Sequence, residues 1–388
     1  MLFNQFQYHL PRTFWKAIAL CLWLAMLPIS NQAKAAQPRP QLREYQSFVE
    51  LCRHQEELSG DARRVVYAVF LSLGTDNCDR ANENLANVTD LSLGYLSFTT
   101  TEYLTDLEAL QTLPNLRELS IIVDYTADLS PLRSLTHLTK LRIECFGQLP
   151  DAPHEIDINS LQFLEQLEIL EVQCNVADSG PLSSLSNLTE LSLAGEIPNL
   201  NSLQSLTSLQ KLSVFTDGVS DLSPLRSLTN LTELTLSSNE ISDLSPLSSL
   251  TNLTDLYLSS EQISDITALQ TLTNLKSLTL TTTQVSDTEP IQSLENLTEL
   301  SLSRNQILDV SALQGLTNLT ELDLNDNQIS DISPLQHLTS LTWLSLASNQ
   351  ISDVGPLQSL TNLDYLLLIQ NPLVNQACPV EPESVCNF

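Results

Sequence analysis

One phrase of 21 to 29 residues recurs thirteen times from Val88 onward, and a chain written that way cannot fold around a single central core. The cleanest copy is LTELTLSSNEISDLSPLSSLTN, Leu231 to Asn252. Copies open at Val88, Leu116, Leu138, Leu167, Leu188, Leu209, Leu231, Leu253, Leu275, Leu297, Leu319, Leu341 and Leu363. The steps between them are 28, 22, 29, 21 and 21 residues, then seven of 22. Counting the opening residue as offset 0, the apolar offsets are 0, 3 and 5 (Leu231, Leu234, Leu236), then 10, 13, 16 and 19 (Ile241, Leu244, Leu247, Leu250). Burying each such side chain is worth roughly 1.5 to 3 kcal/mol before ordering entropy is subtracted. One copy cannot bury both of its flat sides, so neighbours must stack and the two ends must be capped.

The pattern L-x-x-L-x-L-x-x-N at this period is the leucine-rich repeat signature. The expected fold class is an α/β leucine-rich repeat solenoid. The alternating stretch Glu233–Ser237 reads as a strand, so stacked copies form a parallel β-sheet on the concave face, roughly 60 Å long for thirteen strands. Ser245-Pro246-Leu247 reads as a tight turn, with the proline placed where no amide donor is needed. Pro131, Pro224, Pro246, Pro334 and Pro356 share that place, which predicts turns or short 3₁₀ segments on the convex face. The second half of each copy, as in Ile329-Ser-Asp-Ile-Ser-Pro-Leu335, resembles the 22-residue repeat class of bacterial internalins and of a regulatory subunit of protein phosphatase 1.

The ends speak of location. Residues 1–35 carry Arg12 and Lys16, the apolar run Ala17 to Ile29, and Ala33-Lys34-Ala35, the order of a cleavable signal peptide. The run is shorter than the roughly 20 residues a spanning helix needs. No membrane span is expected after cleavage, and the protein is expected to be exported, periplasmic or extracellular. Of seven cysteines, Cys21 leaves with the signal, and six suit an oxidising compartment. Their positions suggest Cys52 with Cys78, Cys145 with Cys174, and Cys378 with Cys386. Cys145 and Cys174 each stand at offset 7 of adjacent coils, which places them within disulfide reach. Residues 36–87 read as a helical N-terminal cap, with helices over Gln41–Leu58 and Asp61–Leu73, a stop at Gly74, and a third short helix from Asp76 toward Asn87. Residues 88–371 are the thirteen repeats and 372–388 a disulfide-closed C-terminal cap. Signal, two-cysteine helical cap, repeats and Cys-Pro/Cys cap together resemble exported leucine-rich repeat proteins common in cyanobacteria, a likeness that implies location and fold more than activity.

Offsets 2, 4 and 6 point outward from the strands. Offset 2 is rich in carboxylates, including Glu233, Asp255, Glu299 and Glu321, and ends in Trp343 and Tyr365. Offset 4 is mostly Ser or Thr, with Arg142, Glu171, Tyr257 and Asp323 as exceptions. Isolated aromatics on such a face are the residues that anchor partners, so Phe215, Tyr257, Trp343 and Tyr365 are the contact candidates together with those four carboxylates. The competing reading packs Trp343 and Tyr365 under the C-terminal cap. Loops at Tyr95–Thr101 and around Pro150–Ile156 form a second candidate edge, weighed against neutral drift.

Two columns look chemical but read as structural. Asp128, Asp221, Asp243, Asp265, Asp287, Asp309, Asp331 and Asp353 at offset 12 each precede a turn whose free amides a carboxylate can cap. A calcium ladder would need a glycine-rich nonapeptide that is absent, so no metal is expected. Asn239, Asn305, Asn327, Asn349 and Asn371 at offset 8 should satisfy backbone groups after the strand. The Asn-Leu-Thr sequons arise from the repeat itself and argue little for glycosylation.

After the signal only His54, His137, His154 and His337 remain, at unrelated offsets, and no phosphate loop, HExxH or G-x-S-x-G occurs. The chain is read as a non-enzyme without cofactor. Its net charge of -29 becomes -32 without Arg12, Lys16 and Lys34 (-29 minus 3), which disfavours nucleic acid. The reading is an exported, monomeric recognition module whose concave sheet binds a protein with a neutral or basic surface, or else a glycan. The alternative is an envelope or matrix scaffold without a single partner.

Overall fold

In a computed structural model of the protein, which describes residues 45–93, 103–146, 155–375 and 377–388, the repeats build one parallel sheet of fifteen strands. In chain order they begin β1 (Asp90–Leu93), β2 (Leu104–Asp106), β3 (Glu118–Asp128), β4 (Lys140–Phe146), β5 (Ile169–Gln173), β6 (Glu190–Ala194) and β7 (Lys211–Phe215). They continue β8 (Glu233–Ser237), β9 (Asp255–Ser259), β10 (Ser277–Thr281), β11 (Glu299–Ser301), β12 (Glu321–Asp323), β13 (Trp343–Ser345), β14 (Tyr365–Leu367) and β15 (Cys386–Asn387). Setting aside β2, which pairs only with β3, and β15, one strand comes from each of the thirteen copies. Offset pairs with the same offset throughout, as in Leu212 with Leu234 and Leu234 with Leu256. The signal segment, the Tyr95–Thr101 insertion and Pro150–His154 lie outside the described residues.

Most strands alternate buried and part-exposed residues, with β13 an exception in which outward Ser345 is also buried, and the leucines at offsets 3 and 5 enter one apolar core that runs continuously from Phe48 to Val385. Opposite each strand the chain closes through a five-residue 3₁₀ turn, such as Ser245–Ser249. Proline stands at its first positions in seven coils, adding Pro181 and Pro290 to the five expected. Proline suits that place because the first amides of a turn have no internal partner.

Polar columns tie coil to coil. The amides of Asn230, Asn252 and Asn296 donate to carbonyls of the preceding coil at 2.8 Å, so these sequon asparagines already serve the stack. The hydroxyls of Thr232, Thr254 and Thr298 do the same at 3.1 Å. The Ser/Thr/Asn richness of the repeat is thus the hydrogen-bond complement of its leucines.

The turn after the strand comes in two forms. From Leu297 on, the offset-8 asparagine is buried or nearly so. Asn327 accepts from the Ile307 amide at 3.0 Å and donates to the carbonyls of Leu302 and Leu324, and Asn305, Asn349 and Asn371 repeat the scheme. The residue before each takes a left-handed conformation: Arg304, Asp326, Ser348 and Gln370 have φ between 55° and 60°. In earlier coils a buried hydroxyl at offset 7 does a different job, with Ser238 and Ser260 donating to the carbonyls of Val219 and Ile241. Asn239 therefore does not join the ladder as expected. Ser238 fills the interior place, and the exposed Asn239 amide bonds Asp217 at 3.1 Å instead. The two forms meet in the coil of Leu275, where Thr282 is already left-handed at φ 56° and buried Thr283 donates to Asn305.

The caps follow the same logic of covering edges. Among the described residues three α-helices, Phe48–Arg53, Gly60–Leu73 and Cys78–Glu83, precede the sheet, each opened by a side-chain cap from Ser47, Ser59 or Asn77. Of the expected Gln41–Leu58, only Phe48–Arg53 is helical among the described residues, because the chain turns from His54 before Ser59 caps the next helix. Gly74 ends that helix in the left-handed conformation, as its sequence position implied. The second helix packs on β1, and its Asp61 accepts from the amides of Thr105 and Asp106 at 2.9 and 3.0 Å, tying cap to sheet. Cys52–Cys78 joins the first helix to the third. Cys145–Cys174 staples β4 to the coil of β5, with Cα atoms 5.1 Å apart. Gly195 follows in the same offset-7 column at φ 120°, where an added Cβ would lie 2.6 Å from the Cys174 carbonyl oxygen, so only glycine fits. At the far end Cys378–Cys386 closes the terminal loop, and β15 pairs with β14.

Candidate functional site: the outward face of the sheet

The register sets the outward residues in straight rows across the strands. At offset 2 the row reads Lys211, Glu233, Asp255, Ser277, Glu299, Glu321, Trp343, Tyr365. Each neighbour is one strand away, roughly 4.8 Å. Trp343 and Tyr365 stack, with ring centroids 5.7 Å apart and planes inclined by 7°. Both rings are half-buried.

The last coil holds two further outward residues that the sequence reading passed over, one on β14 and one just after it. Leu367 stands at offset 4 of the last coil and is part-exposed, and Ile369 at offset 6 is 39% exposed. With Trp343 and Tyr365 they make a continuous apolar surface on the outward side of β13 and β14. It is bordered on the β12 side by Glu321 and Asp323. A leucine in this repeat is normally read as core, and only its even offset distinguishes Leu367.

Phe215 and Tyr257 lie elsewhere. Phe215 ends β7 beside Ala194 and Ser237 and is 45% exposed; Tyr257 sits on β9 between Thr235 and Thr279. Four strands, roughly 19 Å, separate Tyr257 from Trp343. The four aromatic candidates thus form two spots on one face rather than a single site.

The charges divide the face as well. Lys211 pairs with Glu233 at 2.9 Å, and hydrogen bonding and attraction to that carboxylate raise the lysine pKa. Arg142 is clasped between Glu144 at 2.7 Å and Glu171 at 3.1 Å. Among outward positions of β9 to β14 there is no lysine or arginine. Asp255 accepts from Thr254 at 2.6 Å and Glu299 from Ser277 at 3.1 Å, bonds that orient these carboxylates without neutralising them.

The aspartate column behaves as a set of turn caps. Asp243 accepts from the Ser245 amide at 2.8 Å, and Asp128, Asp221, Asp265, Asp287, Asp309, Asp331 and Asp353 do likewise in their coils. The structure adds Asp106, Asp157 and Asp178, which irregular spacing had hidden, and Asn199, whose amide oxygen caps Asn201 at 3.0 Å. Counted backward, every one stands ten residues before the next opening leucine. A neutral asparagine in the column shows that the position needs an oxygen acceptor rather than a charge. Hydrogen bonds from the backbone and hydroxyl of Ser223 and Ser245 lower the pKa values of Asp221 and Asp243; the hydroxyls and backbone of Thr267 and Ser333 do so for Asp265 and Asp331. Among the described residues, no group of three or more His, Cys, Asp or Glu side chains is placed to hold a metal ion. Nor is any helix among them long and apolar enough to cross a membrane.

Comparison with known proteins fits this architecture. The family described as Leucine Rich repeats (2 copies) matches residues 207–249, 229–271 and 295–337. Among curated proteins none matches the chain. Among solved structures, an internalin (InlF) from Listeria monocytogenes is 30% identical with a TM-score of 0.74, over 90% of this chain and 99% of that one. The plant peptide hormone receptor RGFR1, solved in complex with RGF2, is 18% identical with a TM-score of 0.50, over 69% of this chain and 53% of that one. The second likeness concerns the fold alone. The first, spanning nearly the whole of the relative, shows that this chain belongs to the internalin-type leucine-rich repeat proteins.

Proposed function

We propose that the protein is an exported, non-catalytic recognition module that binds a protein partner through the outward face of its sheet, centred on Trp343 and Tyr365. The observation that carries this reading is the apolar surface of Trp343, Tyr365, Leu367 and Ile369 beside the strands β10 to β12, whose outward residues are all small polar or acidic. Exposed aromatic clusters bordered by polar groups are where binding energy concentrates. Tyr257 and Phe215, with Glu233 on the intervening strand and Asp255 on the strand of Tyr257, supply a second contact region for a partner long enough to lie along the sheet. Leucine-rich repeat relatives serve as protein-binding modules, and a receptor of this fold is known in complex with RGF2. Three disulfides and the signal-like residues 1–35 support a site of action outside the cytoplasm.

The test is affinity capture from envelope and medium fractions, comparing the protein with a Tyr257→Ala/Trp343→Ala double variant. One or a few proteins retained by the first and lost by the second, with melting temperature nearly unchanged, are expected. Broad capture that ignores the double variant and vanishes with salt would establish an acidic scaffold instead. A large fall in melting temperature would mean that the aromatic pair serves packing under the C-terminal cap.

A further inference from the structure

We propose that the aromatic end of the face receives an arginine side chain from a basic, extended segment of the partner, its guanidinium stacked on the Trp343 indole and paired with Glu321. The inference rests on the recognition reading above and names the chemistry that the same surface selects.

The geometry begins with the stack. Trp343 and Tyr365 occupy paired positions of β13 and β14 and their rings are nearly parallel, so the stack runs across the strands. The phenol flanks the indole on the β14 side; on its β12 side Glu321 stands in register with Trp343 and Glu299 one strand further. Asp323 lies beside them at offset 4. A planar cation of guanidinium size placed there continues the stack and meets a carboxylate at its edge.

The protein shows the same solution at its other end. Arg142, also outward on the sheet, lies between Glu144 and Glu171 at 2.7 and 3.1 Å. Lys211 likewise answers Glu233. On β11 and β12 the carboxylates are present, and no outward position of β9 to β14 provides the cation. Guanidinium is the cation that fits, because it is weakly hydrated, always charged, and can stack while donating two parallel hydrogen bonds to a carboxylate. An ammonium satisfies the charge but not the plane.

The experiment uses the full chain and three fluorescein-labelled peptides of equal length, alternating serine with arginine, with lysine or with citrulline, the neutral isostere of arginine. Binding is read by anisotropy at low and moderate salt. The arginine peptide should bind tightest, the citrulline peptide about ten-fold more weakly, and the lysine peptide between them. Trp343→Leu and Glu321→Gln should each weaken the arginine peptide several-fold, while Trp343→Phe, which keeps a flat ring, retains most of the binding and reports correct folding. Glu289→Gln, the same charge change on an exposed residue of the turn side, should leave binding unaltered. If Glu289→Gln weakens binding as much as Glu321→Gln does, only a diffuse acidic field is at work and the proposal is overturned. Equal binding of arginine and citrulline peptides, both lost with Trp343→Leu, would overturn the guanidinium assignment and leave the face as a recognition surface. Indifference to Trp343→Leu, in both the peptide assay and partner capture, would overturn both readings.

Discussion

Thr282 shows how much a single residue can be asked to bear. It is β-branched and held at φ 56°, a region that costs an ordinary L-residue about 1–2 kcal/mol. Asp326 and Ser348 occupy the same place with side chains that tolerate it better. Thr282→Gly is therefore expected to stabilise the protein by about 0.5–1 kcal/mol after the added chain entropy of glycine is subtracted, as measured by urea unfolding. An unchanged or lower midpoint would show that the threonine side chain holds its own place. Single residues also mark where sequence reading stops. The outward positions of Trp343, Tyr365 and Tyr257 follow from counting offsets, but Leu367 and Ile369 were invisible because leucine and isoleucine are what the core pattern leads one to expect. That Phe215 and Tyr257 stand apart from the aromatic pair follows only once the number of intervening strands is laid out.

At the level of one coil, the buried asparagine is the unit of order. Asn327 serves one amide and two carbonyls of neighbouring turns, so its removal leaves several buried backbone groups without partners. Asn327→Ala should cost about 2–4 kcal/mol, whereas Asn239→Ala, at the same offset but exposed, should change stability by less than about 0.5 kcal/mol. Equal effects in denaturant titration would contradict the division into two turn forms. That division was only half legible. The phase of the leucines gave the strands, their inward and outward faces, the 3₁₀ turns and the caps. Whether serine at offset 7 or asparagine at offset 8 enters the interior depends on the backbone angle between them, which residue identity alone does not reveal. The capping aspartates were obscured for another reason: counting forward from the strand crosses every insertion, and counting backward from the next leucine crosses none.

For the whole molecule, two acid effects oppose one another. A net charge of -29 repels itself at neutral pH, and protonating unpaired carboxylates relieves the repulsion. Asp221, Asp243, Asp265 and Asp331 act in the other sense. Their native pKa values are lowered, so the stability they contribute is fully present above the ordinary aspartate value of about 3.9 and is lost as the pH falls through their lower native values. Melting temperature should therefore rise as pH drops from 7 toward about 5 and fall below about 4, with added salt removing most of the rise. A steady decline from pH 7 would mean that repulsion is unimportant. A last consequence concerns descent rather than stability. From Leu297 onward every coil offers its neighbours the same bonds, so excising Leu319–Ser340 would let Asn349 serve the Ile307 amide where Asn327 now does. Such a shortened chain should still fold and melt in one step, with Trp343 now neighbouring Glu299. A lineage carrying this gene can lengthen or trim it by whole copies without solving its packing anew, provided the cut avoids the coil of Leu275, where two unlike turns are joined.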